Sequence, residues 1–161
     1  MSERAAAGAS LAQDSNDEQR LAERVTGRML AADAFSRWLG VEVTTIAPRA
    51  ATCRMTVRDE MVNGFGVAHG GIVYAFADSA FAFACNTHGT VSVAVDNAIT
   101  YPTAIHPGDV LTATAAEETR SNRLGYYRVL VTNQQGELVA IFKGTAYRTS
   151  RPHFPGEPQH A

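Results

Sequence analysis

The sequence has few of the features that mark secreted, membrane-spanning or nucleic-acid-binding proteins. Its 161 residues include only two cysteines, and neither Cys53 nor Cys85 lies near another cysteine or in a histidine-spaced cluster. We therefore expect two reduced packing residues and no metal site. No apolar run reaches the roughly 18 residues that a membrane span needs. The net charge of −2, without a basic stripe, argues against a nucleic-acid partner.

The two ends of the chain differ in composition from its middle. The first residues lack an apolar stretch and a cleavage pattern, so we expect a cytoplasmic protein. Residues 1–15 are rich in alanine, serine and charge, and we predict a disordered tail. Residues 16–149 form one predicted domain, which a helix over 16–34 opens. The proline-rich segment 150–161 is predicted to be a flexible tail.

An alternation of apolar and polar residues follows the first helix and indicates half-buried strands. Its apolar members are Leu39, Val41, Val43, Cys53, Met55 and Val57. Pro48 and Arg49 lie between the two strands and predict a hairpin. Four further strand-like segments cover residues 91–101, 110–116, 126–132 and 138–147. Strands with one segregated helix predict an α+β fold, in which a curled antiparallel sheet of five to six strands wraps around that helix.

The segment 70–87 is predicted to be a helix that is apolar on every side, as is typical of a buried helix. Its alanines alternate with Phe76, Phe81 and Phe83, which suits a helix wrapped closely by a sheet. Asp78 is the only residue in the segment that is normally charged. A charge in apolar surroundings costs several kcal/mol unless it is satisfied. Asp78 therefore has a catalytic role, or it simply bonds a neighbouring backbone group or Ser79.

Gly70 and Gly71 open this helix and leave backbone N–H groups unpaired at its positive end. Such an end can hold the oxyanion that forms from a carbonyl group, and Asp78 can act as nucleophile or as general base for water. Gly70 and Asp78 lie about 12 Å apart along the axis, so one carbonyl carbon cannot reach both. Two antiparallel helices across a two-fold axis bring them together, which predicts a dimer with two shared sites.

Three polar residues near this helix each have two possible roles, one functional and one structural. His69 takes part in the chemistry or only orients the loop, and Asn63 is a ligand or only a turn residue. Asn97 interrupts an apolar alternation, so it faces an acyl pocket or bonds the backbone.

A resemblance to a known family rests on three motifs, which are NGFGVAHGG, ADSAFAFACN and GDVL. They are similar to those of the hotdog-fold thioesterases, particularly the phenylacetate-degradation acyl-CoA thioesterases, over about residues 35–149. The resemblance implies a hotdog fold, dimers that pair into tetramers, and hydrolysis of a coenzyme A thioester. It implies no cofactor, because coenzyme A belongs to the substrate. Asp78 would be the catalytic carboxylate, the Gly70 N–H would polarise the carbonyl, and Asn63 and His69 would line the same site.

The chain departs from this family after the central helix. The family commonly carries Phe-Leu-Arg-Pro before its Gly-Asp turn, whereas this chain has Ile-Thr-Tyr-Pro-Thr-Ala at 99–104. Because that arginine is missing, other basic residues are the candidates for contacts to the coenzyme A phosphates, and these are Arg120, Arg123, Arg128, Lys143 and Arg148. Gly71 and Asn97 are further candidates for substrate binding. The segment HFPG at 153–156 resembles a hotdog dehydratase motif, but its place in the tail predicts a coincidence.

Acyl-CoA thioesterase activity is therefore the predicted function, and two alternatives stay open. One is a non-catalytic acyl-CoA binding protein of the same fold, and the other is a hotdog hydratase or dehydratase that uses His69. We expect a phenylacetyl-type, hydroxyphenylacetyl-type or medium-chain acyl group, because several aromatic residues could line the acyl pocket or belong to the core. These are Tyr74, Phe76, Phe81, Phe83 and Tyr101.

Overall fold

The computed structural model of the protein describes residues 3–156, with side chains from residue 13 onward. In chain order, the elements are α1 (Glu3–Ala32), α2 (Ala34–Leu39), β1 (Glu42–Ala47), β2 (Ala50–Thr56), a short 3-10 helix (Asp59–Met61), α3 (Gly70–Asn86), β3 (Thr90–Thr100), β4 (Val110–Arg120), β5 (Leu124–Thr132) and β6 (Leu138–Pro152). Two strands precede the central helix and four follow it, as the alternation pattern predicts.

The six strands form one antiparallel sheet in the order β1-β2-β4-β5-β6-β3. The hairpins β1–β2, β4–β5 and β5–β6 join strands that are neighbours in the chain. The strand β3 instead pairs with the end of the chain, at the edge of the sheet. This sheet packs around α3, so the predicted α+β class and the hotdog arrangement are confirmed.

The central helix α3 buries three large aromatic side chains against the sheet. Phe76, Phe81 and Phe83 are fully buried, and Phe81 packs edge-on against Tyr127 at a ring-centroid distance of 5.4 Å. Burying such a ring stabilises the fold by roughly 2–3 kcal/mol relative to leaving the ring exposed. This gain far exceeds the small free-energy cost of placing phenylalanine, a weak helix former, in a helix. Tertiary burial therefore holds this helix in the sheet.

The N-terminal part of the structure corrects two expectations. The helix α1 begins at Glu3, so residues 3–15 are helical where the sequence predicts a disordered tail; alanine, frequent there, is the strongest helix former. The helix also ends earlier than expected. Asp33 accepts a hydrogen bond from the Ser36 amide at 2.9 Å, and this cap starts the separate helix α2. Leu39 is consequently a buried helix residue and does not belong to a strand.

The C-terminal segment also differs from the expected flexible tail over 150–161. The strand β6 continues to Pro152, and the His153 amide donates to the Gly89 carbonyl at 2.8 Å. The His153 ring lies 2.7 Å from Asn86 Oδ1, and Arg24 stacks over Phe154 at 4.4 Å. The tail is therefore attached to the body through residue 154, while residues 157–161 lie outside the described part of the chain.

Both cysteines are buried and free, as the sequence predicts. Burial raises the pKa of Cys53 and of Cys85 to about 12, so neither is a reactive thiolate at neutral pH. Within the described residues, no helix is long and apolar enough to cross a membrane.

Candidate active site

The start of α3 exposes one backbone donor, at Gly70. His69 caps the helix, and its Nδ1 accepts a hydrogen bond from the Gly71 amide at 3.0 Å. The Gly70 amide has no acceptor among the residues that the structure describes. An unpaired N–H at the positive end of a helix suits a carbonyl oxygen or an oxyanion. Gly70, and not Gly71, is therefore the available donor.

Tyr101 fixes the Gly70 peptide from the other side. Its hydroxyl donates to the Gly70 carbonyl at 2.7 Å, and its ring lies 3.3 Å from the position that a Cβ at Gly70 would take. A cavity of about 270 Å³ opens here, lined by residues of the loop before α3, the start of α3 and residues 101–105. The contact explains why a residue without a side chain occupies the helix start.

The loop before α3 is held in a defined turn. Val62 and Ala68 form an isolated antiparallel bridge, and the His69 amide donates to the Met61 carbonyl at 2.8 Å. Asn63 Oδ1 accepts from the Phe65 amide at 2.8 Å, which makes Asn63 a turn residue in this structure. Its side chain lies in the loop that leads to Gly70, and no described contact joins it to Asp78.

Asp78 lies half-buried in the middle of α3 and has one side-chain partner. Asn97 on β3 donates from Nδ2 to Asp78 Oδ1 at 2.9 Å. Burial raises the pKa of the Asp78 carboxyl, and the hydrogen bond from Asn97 opposes that shift in part. Ser79 does not satisfy Asp78, because its hydroxyl bonds Ser36 at 3.0 Å. The carboxylate is therefore desolvated, as suits a base, and one of its oxygens lacks a described partner.

Asp78 lies on the one face of α3 that the sheet leaves partly open. The residues of this face recur every three or four positions and are Gly71, Ala75, Asp78 and Ala82, all half-buried or exposed. Its other three members are glycine or alanine, with half-buried Tyr74 beside them, so a second helix could approach closely along this face. Next to it, β3 forms an outer edge of the sheet.

Comparison with known proteins shows the family to which the chain belongs. The model of the thioesterase superfamily matches residues 65–140. The acyl-coenzyme A thioesterase PaaI of Escherichia coli is 37% identical over 116 residues, which are 72% of this chain and 83% of that protein. The human acyl-coenzyme A thioesterase 13 is 33% identical over 123 residues, covering 74% of this chain and 88% of that protein. The chain belongs to the thioesterase superfamily.

The structures agree as well. The E. coli PaaI protein from the phenylacetic acid degradation operon superposes with a TM-score of 0.81 at 34% identity, covering 83% of this chain and 97% of that one. The predicted family and the prediction of an enzyme are thereby confirmed.

Four of the basic candidates of this thioesterase lie in two places, neither beside Asp78. Arg128 and Lys143 are paired across β5 and β6 on the outer face of the sheet, because their neighbours Tyr127 and Phe142 point inward to α3. Arg128 forms an ion pair with Glu118 at 2.6 Å. Arg120 and Arg123 flank the β4–β5 hairpin at the opposite end of α3 from Gly70, and Arg123 donates to the Tyr147 hydroxyl at 3.3 Å.

The aromatic candidates divide between core and site. Phe76, Phe81 and Phe83 are core residues, so they do not line a pocket at Gly70. Tyr101 lines the cavity there, and Tyr74 packs on Phe142. Sequence reasoning missed the Tyr101–Gly70 and Asn97–Asp78 contacts, since each joins residues far apart in the chain. The polar interruption at Asn97 was the one available signal.

We expect Asn97→Ala to raise the pKa of Asp78 further, because the mutation removes the bond that stabilises the charged carboxylate. The acid limb of the plot of kcat/KM against pH should then move to higher pH. The loss of activity should be smaller at alkaline pH than at acid pH. Asn16→Ala, on the exposed surface of α1, is the matched control. A profile that does not move would show that the Asn97 bond does not tune Asp78.

Proposed function

We propose that the protein hydrolyses acyl-CoA thioesters at two equivalent sites, each formed by two chains. The observation that carries this proposal is the pairing of a desolvated carboxylate, Asp78, with a free helix-terminal amide, Gly70, on one helix. The two lie eight residues apart, or about 12 Å, so they cannot act on one carbonyl within a chain. A second chain, with its α3 antiparallel to the first, places its Gly70 near Asp78.

The chemistry follows from these two groups. The thioester oxygen binds the Gly70 amide, which stabilises the negative charge that develops as the carbonyl carbon becomes tetrahedral. Asp78 takes a proton from water, which attacks that carbon, or attacks it directly and is released by water later. The carbon–sulfur bond then breaks, and the leaving coenzyme A thiolate takes up a proton. Incorporation of oxygen-18 into Asp78 during one turnover in labelled water distinguishes the two routes.

Three features of the chain support a two-fold dimer. The edge strand β3 is 11 residues long. Val93 and Val95 on it are 46% and 57% exposed, and an apolar edge of this kind is a template for pairing with another strand. The small-residue face of α3 lies beside that edge and contains Asp78. Pairing of β3 with its copy would therefore bury both surfaces and bring the two helices together.

The substrate class is supported by the relatives. We propose an arylacetyl-CoA, such as phenylacetyl-CoA or hydroxyphenylacetyl-CoA, or a medium-chain acyl-CoA. The relatives are named acyl-coenzyme A thioesterases, and the solved E. coli PaaI comes from a phenylacetic acid degradation operon. No prosthetic group enters the steps above. We further propose that dimers pair into tetramers, in keeping with the family resemblance.

The two other functions find less support in the structure. A dehydratase would need His69 as its base, but His69 Nδ1 is already the acceptor that caps α3. The motif at 153–156 is tied to Asn86 and Gly89, at the far end of the helix. A binding protein would gain nothing from a desolvated carboxylate near an anionic ligand.

The experiment that tests the proposed function is a turnover screen across short-chain, medium-chain and arylacetyl-CoA thioesters. Release of free coenzyme A is followed with a thiol reagent, and the Asp78→Asn protein is the blank. We expect turnover of at least one class far above this blank. Binding of every thioester without turnover would instead support the non-catalytic alternative.

A further inference from the structure

A second cavity, of about 500 Å³, lies at the C-terminal end of α3. The β1–β2 turn, the β4–β5 hairpin and the end of β6 bring three arginines to its wall, and these are Arg49, Arg120 and Arg148. We call this space the arginine cavity. It begins at Thr87, about 25 Å along the helix from Gly70 and about 13 Å from Asp78. It is therefore separate from the site for thioester hydrolysis within the chain, and its volume would accept a small molecule.

Two of these arginines have a buried guanidinium nitrogen that makes no hydrogen bond among the described residues. These atoms are Nε of Arg148 and Nε of Arg49, and the latter has only the Glu117 carboxylate nearby, at 3.7 Å. Burying part of a charged group without its full set of hydrogen bonds is costly. Two such guanidinium groups among the residues that line one cavity are suited to an oxyanion with several acceptor oxygens.

The backbone at Arg49 is also held in an unusual conformation. Its φ of 63° is the only positive φ of a non-glycine residue in the described part of the chain. The surroundings fix it on both sides, because its amide donates to Thr87 Oγ1 at 2.7 Å and its carbonyl accepts from the Glu117 amide at 3.0 Å. Strain of this kind is concentrated at functional sites. Glycine or asparagine would fit this turn better. The residue present is instead an arginine, and it lines the cavity.

The acidic groups nearby only partly neutralise the cavity. Glu117 lies 3.7 Å from Arg49 Nε and 3.9 Å from Arg120 Nε, and Glu18 lies on the wall. Three arginines therefore face two carboxylates. His88 lies on the same wall, and its pKa is lowered to about 4, mainly by burial and then by the positive charges of Arg148 and Arg49.

We propose that the arginine cavity is a binding site for the phosphate group of a small molecule, separate from the site of thioester hydrolysis. Arg49 and Arg148 donate to its oxygens through their guanidinium groups, and Arg120 adds charge from the cavity rim. Phosphate is the chemistry that these groups recognise, because guanidinium groups present several donors in one plane to its oxygens. The group could come from free phosphate or from the nucleotide end of coenzyme A.

The test is isothermal titration calorimetry of the full chain with two probes, inorganic phosphate and adenosine 3′,5′-bisphosphate, the nucleotide end of coenzyme A. The variants are Arg148→Gln and Arg49→Asn; asparagine tolerates the left-handed backbone, so the latter keeps the turn. Arg54→Gln, on the exposed face of β2, is the matched control. Unfolding by urea confirms that each variant folds.

We expect at least one probe to bind, with a Kd about tenfold or more higher in both cavity variants and unchanged in Arg54→Gln. Binding of the bisphosphate alone would identify a nucleotide as the source, and binding of both probes a simple phosphate site. No binding of either probe at millimolar concentration, or equal binding by the cavity variants, would overturn the proposal. Asp78→Asn should bind the probes normally, so loss of hydrolysis and loss of phosphate binding are separable.

Discussion

Asp78→Asn is expected to lower kcat by on the order of a thousandfold, with little change in KM. The amide keeps the shape of the side chain and can still accept the bond from Asn97, but it can neither attack the thioester nor take a proton from water. Steady-state release of coenzyme A measures the effect. Asp59→Asn, at an exposed carboxylate outside the site, is the matched control and should keep full activity. Equal rates for the two variants would remove Asp78 from the mechanism.

The same substitution should also stabilise the folded protein at neutral pH. Burial raises the pKa of Asp78 in the folded state, so the ionised carboxylate disfavours folding at every pH above that raised pKa. This cost declines as the pH falls through the raised pKa towards the ordinary value of the unfolded chain. Urea unfolding of wild type and Asp78→Asn should therefore differ at pH 7 in favour of the variant and converge in acid. Lower stability of the variant at pH 7 would contradict a desolvated carboxylate.

Gly70→Pro is expected to lower kcat about a hundredfold to a thousandfold, because it removes the single N–H that polarises the thioester. Gly70 is the first residue of α3, where proline fits a helix, and His69 has the extended backbone that a residue before proline needs. Gly70→Ala is the matched control. It places the same Cβ against the Tyr101 ring, at 3.3 Å, but keeps the N–H.

The comparison of these two variants separates the donor from the packing. Both should lose some activity through the contact with Tyr101, and only the proline variant should lose the large factor. Similar kcat values for Gly70→Pro and Gly70→Ala would show that the amide is not the oxyanion donor, whatever the absolute rates.

Much of the fold follows from the sequence because burial is periodic in it. The bounds of α3 predicted from the sequence agree with the structure to within one residue. A long continuous apolar segment that follows two glycines is typical of a buried helix. The break at Asp33 was missed because Phe35 continues the helical spacing of α1, although its side chain is 52% exposed. Asp33 and Ser36 form the cap at which α2 starts after α1. Both residues are polar, so the spacing of apolar residues gives no signal for this cap.

The site was predictable only in its local parts. Gly70 and Asp78 lie on one helix, so their separation could be calculated from the sequence. The partners that complete them come from elsewhere: Asn97 from β3 and Tyr101 from the segment after it. Which residues meet depends on the β3–β6 pairing and on the way the sheet wraps around α3. Neither can be predicted from the residue spacing within a single segment. The arginine cavity likewise joins three separate segments of the chain.

The most direct test of the shared site mixes two inactive proteins. Asp78→Asn and Gly70→Pro chains are unfolded together in equal amounts, refolded, and assayed against each protein refolded alone. In a mixed dimer, one site carries both defects and the other carries none, because its Asp78 and its Gly70 come from the two intact halves. Random pairing should therefore restore about one quarter of wild-type activity. A mixture no more active than its components would show that Asp78 and Gly70 do not act together across two chains.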